Sequence, residues 1–239
     1  MEIKRPVYRH ELKYLINYGQ KELITNRLKE FLKLDSHVTD EQYMIRSLYF
    51  DDMWSSSYEE KMMGILSRKK YRIRIYNCDD GFISLECKAK EGSYILKRSA
   101  RLTREECDAI IAGDIDVIKG REEELVKEFY HALSTNGLKP EVIVDYDRIP
   151  FIYDPGTVRI TFDMNLRAAF NGYDIFDSTL PVFNAMDQDM LIMEVKYTEF
   201  LPEIIRSVIM ADSLIYTAAS KFTLCDDVKR NTYGMEIFR

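Results

Sequence analysis

Arg72-Ile73-Arg74-Ile75-Tyr76, followed after a Cys78-Asp79-Asp80-Gly81 turn by Leu85-Glu86-Cys87-Lys88-Ala89-Lys90, decides how this chain folds. Charges fall at every second residue, and the residues between them are apolar. Successive side chains of a β-strand point to opposite faces, so each strand carries one charged face and one apolar face. Arg9/Glu11/Lys13, Arg159/Thr161/Asp163 and Glu194/Lys196 repeat the pattern. A half-exposed sheet also alternates, but it usually mixes Thr, Ser, Gln and Lys. Repeated Arg, Lys and Glu instead predict one barrel whose charged faces converge on an interior built for a polyanion.

With 239 residues and 46% hydrophobic content, the chain can bury a substantial core. The fold class expected is α+β: an antiparallel closed β-barrel with flanking helices, residues 1–239 forming one domain. A net charge of -6 and a pI near 5.3 argue against a general nucleic-acid coat or a membrane-surface protein, which carry a basic excess. Cations therefore collect on a few strands, while acids gather in segments such as Arg121–Glu128. Cys78, Cys87, Cys107 and Cys225 have no CxxC spacing, which disfavours zinc and a disulfide framework and fits a reducing compartment. Met1–His10 is polar, so no signal peptide is expected. Ile204–Tyr216 is broken by Arg206 and Asp212 and is too short to span a bilayer. The expectation is a soluble, cytoplasmic protein without membrane insertion.

Away from the charged strands, Gln20–Leu34 has the apolar spacing of an amphipathic helix. Tyr43–Phe50 reads as a strand closed by Asp51-Asp52, and Ser55–Met63 as a short helix with a serine cap. The central meander is Tyr71–Asn77, Phe82–Lys90 and Tyr94–Leu102. Thr103-Arg104-Glu105-Glu106 predicts a capping box, and Glu122–Ser134 an acidic helix. Lys139–Phe151 and Thr157–Asp163 follow as strands, with Asn165–Asn171 open between strand and irregular edge and Gly172–Gln188 read as loop. Met190–Tyr197 is a strand, Pro202–Met210 and Tyr216–Asp226 helices, and the tail beyond Arg230 loose. Trp54 is read as a packing anchor, and His10, His37 and His131 as surface residues. Asp145 and Asp147 stay open between surface pairing and the interior.

Cations facing a barrel lumen repel one another when it is empty, which stabilises a fold poorly but suits phosphates. Arginine forks match phosphate oxygens bidentately, and lysines act as mobile point charges. Glu11, Glu86, Asp163 and Glu194 can pair with those cations or hold a divalent metal. For most of them the ion pair is the simpler role; for Glu194 both readings stand.

Arg9-His10-Glu11-Leu12-Lys13-Tyr14, Ser47-Leu48-Tyr49-Phe50-Asp51, Arg72-Ile73-Arg74-Ile75-Tyr76, Leu85-Glu86-Cys87-Lys88, Arg159-Ile160-Thr161-Phe162-Asp163, Glu194-Val195-Lys196-Tyr197 and Ser220-Lys221-Phe222 occur in that order. Together, from about Arg5 to Asp226, they resemble the vacuolar transporter chaperone (VTC) type of polyphosphate polymerase domain, in the CYTH or triphosphate-tunnel metalloenzyme superfamily. The resemblance implies a tunnel barrel, Mn2+ or Mg2+, and transfer of the ATP γ-phosphoryl to a polyphosphate chain. By motif, Lys13, Arg72, Arg74, Lys88 and Arg159 would contact phosphates, Lys196 would flank the metal ligand and Lys221 would close over the substrate. Arg9, Lys90, Lys97 and Arg98 are further phosphate-binding candidates, the register at Lys97/Arg98 being open. Glu194 would be the principal metal ligand, with Glu11 and Glu86 as companions.

Hydrolytic and cyclase branches begin with Glu-x-Glu-x-Lys; Arg9 replaces the first acid here, which moves the expectation toward the polymerase branch. The separate regulatory domain and membrane helices of eukaryotic VTC subunits are not legible in these residues. The alternatives are a triphosphate or tripolyphosphate hydrolase, with Glu11 or Glu86 as base, and a non-catalytic polyphosphate- or nucleotide-binding module.

Overall fold

Arg72 stands opposite Glu86, and Lys13 opposite Glu194, in antiparallel ladders, so the alternating charges do share a face. The computed structural model describes residues 10–35, 42–92, 94–198, 200–210 and 214–236. Its strands are β1 (His10–Asn17), β2 (Lys33–Leu34), β3 (Tyr43–Asp51), β4 (Ser67–Tyr76), β5 (Asp79–Glu91), β6 (Tyr94–Leu102), β7 (Lys139–Tyr153), β8 (Val158–Ala169), β9 (Phe183–Asn184), β10 (Met190–Tyr197) and β11 (Ile215–Tyr216). They form an 11-stranded sheet along the path β11-β1-β10-β8-β7-β3-β4-β5-β6, with β2 beside β7 and β9 beside β8.

Closure differs from expectation. Among the described residues no ladder joins β6 to β1 or β11. β11 is two residues long and is spent on pairing Tyr14 and Leu15 of β1, which leaves little edge for another strand. The sheet still curls until the strands next to its two ends meet through side chains, Lys88 of β5 lying 3.0 Å from Glu11 of β1.

Among the described residues six α-helices accompany the sheet: α1 (Tyr18–Leu28), α2 (Ser56–Met62), α3 (Arg104–Ala112), α4 (Glu124–Thr135), α5 (Glu203–Met210) and α6 (Lys221–Glu236). The apolar faces of β3 to β6 bury Leu48, Ile73, Ile75 and Leu85 against Cys107 and Ile110 of α3 and Leu125 and Phe129 of α4. Ile160, Phe162, Met193 and Val195 pack against Ile24 and Leu28 of α1 and Ile205 and Ile209 of α5. α6 instead lies on the charged face's side, where Phe222 and Cys225 meet Tyr49, Val144, Tyr146 and Leu166. It fills one end of the interior with apolar packing and leaves the rest to the charges.

Local rules explain the helix starts. Thr103 and Glu106 make the expected capping box, the Glu106 amide donating to Thr103 Oγ1 at 3.1 Å and the Thr103 amide to Glu106 Oε2 at 2.9 Å. Asn17 and Gln20 do the same for α1, which stops at Leu28 instead of Leu34; Leu23 and Phe31 are exposed. Ser55 does not cap α2. The Asp51 carboxylate accepts the Ser57 and Tyr58 amides, and Asp52 accepts those of Trp54 and Ser56.

Trp54 is 75% exposed, so it anchors no core. β8 runs through Asn165, at φ 52° beside a register shift, to Ala169, and a two-residue strand interrupts the expected loop at Phe183. α6 begins at Lys221, not Tyr216, and continues past Arg230 to Glu236. Asp145 is buried against Arg46 (2.8 Å), which also donates to the carbonyls of Ile175 and Asp177 and so pins the segment that follows β8. Asp147 pairs at the surface with Arg167 and Asn165. His10 and His131 are exposed; His37 lies outside the described residues. Among the described residues, no helix is long and apolar enough to cross a membrane.

Candidate functional site: a basic cavity inside the curled sheet

A cavity of about 110 Å³ opens on the charged face. Lys13 of β1, Lys70, Arg72 and Arg74 of β4, Lys88 of β5, Arg148 of β7, Lys196 of β10 and Lys221 of α6 line it, with Glu194 as the one carboxylate among the described residues, beside Tyr49, Tyr146 and Ser220. Lining so one-sided in charge selects anions, and arginine forks favour phosphate or carboxylate oxygens. A second cavity, of about 190 Å³, shares Lys13, Lys70, Lys88 and Ser220 with the first and adds Glu11, Lys61, Arg68 and Lys90.

Buried acids hold the cations in place. Glu194 takes Lys196 at 2.8 Å and Lys221 at 2.7 Å, with Lys13 and Arg148 each at 3.6 Å. Burial works against its charge, but Lys196, Lys221, Lys13 and Arg148 outweigh that and hold its carboxyl well below the usual range. Asp163 accepts two bonds from the Arg148 guanidinium, at 2.6 and 2.7 Å, and a third contact from Lys221 at 2.6 Å, so it too stays ionised. Glu86 binds Arg72 (2.6 Å) and Lys97 (2.6 Å), with Arg74 at 3.9 Å. Glu11 meets Lys88 at 3.0 Å and Lys13 at 3.2 Å; despite burial these cations pull its carboxyl down to about 2. Arg72 also donates to the Tyr49 hydroxyl (2.6 Å), and Arg74 to Ser47 and the Tyr146 hydroxyl (3.1 Å each).

The anticipated residues thus divide. Lys13, Arg72, Arg74, Lys88, Lys196, Lys221 and Glu194 line the first cavity, and Lys90 and Glu11 the second. The ladder pairs Lys88 with Lys97, which resolves the open register: Lys97 reaches Glu86 inside, whereas Arg98 faces Glu128 of α4 at 2.7 Å. Arg159 shares the row of Lys196 and Glu11 but lines neither cavity; it pairs with Asp35 (3.0 Å) and Tyr43 (3.3 Å). Arg9 lies outside the described residues. Arg148, Lys70, Tyr49 and Tyr146 are additions. Lys70 continues the alternation of Arg72 and Arg74 backwards by one step, a signal hidden when the strand is started at Tyr71.

The acids do not assemble into a metal cradle. Among the described residues no three Asp, Glu, His or Cys side chains are spaced to hold an ion. Lys13 lies between Glu11 and Glu194, and Lys221 between Glu194 and Asp163, so ammonium groups occupy the places where a bridging cation would sit. Glu86 is committed to Arg72 and Lys97. These donors, as arranged, do not fit a resident divalent metal.

The VTC domain matches residues 8–226. The chain belongs to the VTC family. Solved structures are similar to the chain at low identity. One is a provisionally assigned adenylyl cyclase from Hippeastrum with a dominant triphosphatase activity, 11% identical, covering 92% of this chain and 95% of its own, with a TM-score of 0.52. Another is a provisionally assigned adenylate cyclase from Bacillus halodurans, 12% identical over 85% of this chain and 88% of that one, TM-score 0.49. No curated protein matches the chain. The chain is thus a VTC-family protein whose curled sheet encloses a basic, anion-selecting interior.

Proposed function

We propose that this VTC protein is a polyphosphate polymerase, moving the γ-phosphoryl group of ATP onto the end of a polyphosphate chain held in the basic interior. The observation that carries the reading is that Lys13, Arg72, Arg74, Lys88, Lys196 and Lys221, contributed by β1, β4, β5, β10 and α6, line one cavity. Phosphoryl transfer asks little covalent chemistry of a protein, and positioning with charge neutralisation supplies most of the rate.

Arg72 and Arg74, fixed by Glu86, Tyr49, Ser47 and Tyr146, have the rigidity to set the triphosphate in line. Lys13, Lys196 and Lys221 are mobile point charges that can leave Glu194 for phosphate oxygens as negative charge shifts to the leaving group. A terminal phosphate oxygen of the acceptor is nucleophilic enough without a general base, and no histidine is assigned a part.

The test is ATP given to the purified protein with manganese, with magnesium and with chelator, and the products run on a gel. Chain growth supports the reading, and the chelated sample reads out metal dependence. Orthophosphate release without growth would make the protein a triphosphate hydrolase, and binding without turnover a polyphosphate- or nucleotide-binding module.

A further inference from the structure

Lys70 stands apart from the other cations that line the first cavity. Its Nζ is buried yet has no hydrogen-bond partner, and among the described residues no carboxylate lies within ion-pair distance of it. Lys13, Arg72, Lys88, Lys196 and Lys221 each hold an acid. A buried polar group left unpaired calls for an explanation, and a buried unpaired cation all the more. Lys70 also lines both cavities, at the boundary they share.

Cations dominate the elements around it, and the nearby acids make no ion pair with it. Lys88 of β5 is its partner in the ladder, and Arg68 sits two residues back on β4. α2 contributes Lys61 and also Glu60, which feels Lys70 but makes no ion pair with it. Asp51 of β3 is the other nearby acid, and its oxygens are already taken by the amides of Asp52, Ser57 and Tyr58. β1 presents Lys13 and Glu11 to the same cavities, with Glu11 committed to Lys88 and Lys13. α6 adds the cation Lys221 to the first cavity and sets the Phe222 ring against Lys70, its centroid 4.3 Å from Nζ.

We propose that Lys70 is the amine that recognises an entering phosphate chain where the two cavities meet, taking up a proton from solvent as the anion binds. The inference rests on the reading that this interior holds a phosphate chain. Burial and the cations Arg68, Lys61 and Lys88 hold the empty-state amine near neutrality, at about 7. An anion placed against it reverses that balance, and the Phe222 face supports the charged form on the opposite side. Lys13 and Lys221 behave differently: their acids keep them charged whether the cavity is empty or filled. Binding would therefore draw in a proton through Lys70 and weaken as the medium turns alkaline.

Tripolyphosphate is the probe, titrated calorimetrically at pH 8 in buffers of different ionisation heat. The native protein should take up roughly one proton more per binding event than Lys70→Met. Lys70→Arg, which is charged throughout, should bind without that extra proton, and the ratio of native to Lys70→Arg affinity should fall by up to about tenfold per pH unit from pH 7 to 9. Circular dichroism of both variants controls for folding, and the arginine variant keeps the side chain long if methionine is not tolerated. Equal proton uptake in native and variant proteins, or an affinity ratio flat across that range, overturns the role of Lys70 alone. Failure of the native protein to bind tripolyphosphate at any pH overturns the phosphate-chain reading beneath it.

Discussion

The Lys221 ammonium, on the first residue of α6, lies 2.7 Å from the Glu194 carboxylate in the middle of β10. One ion pair thus ties the helix that fills the interior to the strand that carries its central acid. Asp163 completes the link at 2.6 Å.

Removing that acid should cost stability before it costs anything else. Glu194→Gln keeps the shape but leaves Lys196, Lys221, Lys13 and Arg148 short of a counter-charge in a buried place. Breaking a buried pair by deleting one partner costs about 3–5 kcal/mol, so the urea midpoint should drop accordingly. Tripolyphosphate at a hundred times its Kd should return about 2.7 kcal/mol. A variant as stable as the native protein would show that Glu194 does not neutralise these cations.

Arg72 and Arg98 provide a matched pair of deletions on opposite faces. Arg72→Ala removes a fork that lines the cavity, and a charged hydrogen bond is worth about 1.5–3 kcal/mol, so tripolyphosphate affinity should fall about ten- to hundredfold. Arg98→Ala removes a partner of Glu128 outside the sheet and should leave affinity within a factor of about two. Equal losses in the two variants would move the binding site off the interior face.

These contrasts also mark how far the residues alone could be read. Alternation fixed the strands and their inner faces, because side-chain period and ladder register are the same geometry seen twice. Arg98 against Lys97 was open, since two adjacent cations fit either face until Lys88 is seen opposite Lys97. Starting the strand at Tyr71 hides Lys70, because β4 begins four residues earlier, at Ser67. Arg148 sits between Asp147 and Ile149 with no second cation at period two, so only tertiary placement against Asp163 reveals it. Asp51 looked like a strand end, and its work as the cap of α2 depends on a turn the sequence does not spell out. Sheet closure was the least legible feature, because it depends on edges contributed by distant segments.

Acid should unfold the protein through its interior. Glu11 is held at about 2, and Glu194 and Asp163 are also depressed, against burial, by the cations around them. Groups whose folded-state pKa is lowered contribute stability that is present above their unfolded values, near 4, and lost as pH falls through the folded ones. The urea midpoint should therefore decline from about pH 4.5 toward pH 2, and Glu11→Gln should make the decline shallower. A midpoint constant from pH 5 to pH 3 would contradict this account.

The turn between β4 and β5 offers a stabilising change. Tyr76 pairs with Asp79, so the loop is Asn77-Cys78 alone, shorter than the four residues expected, with φ at 50° and 55°. Such two-residue turns favour Asn followed by Gly, because a Cβ in the left-handed region costs about 1–2 kcal/mol. Cys78→Gly loses part of that gain to the greater freedom of glycine in the unfolded chain. A net rise of about 0.5–1 kcal/mol is expected, read as a higher melting temperature. The turn sets the register that brings Arg72 opposite Glu86, and the substitution leaves its length unchanged. Tripolyphosphate affinity should therefore stay as it was; a change in affinity would mean that the Cys78 side chain, not the turn geometry, positions the charged rows.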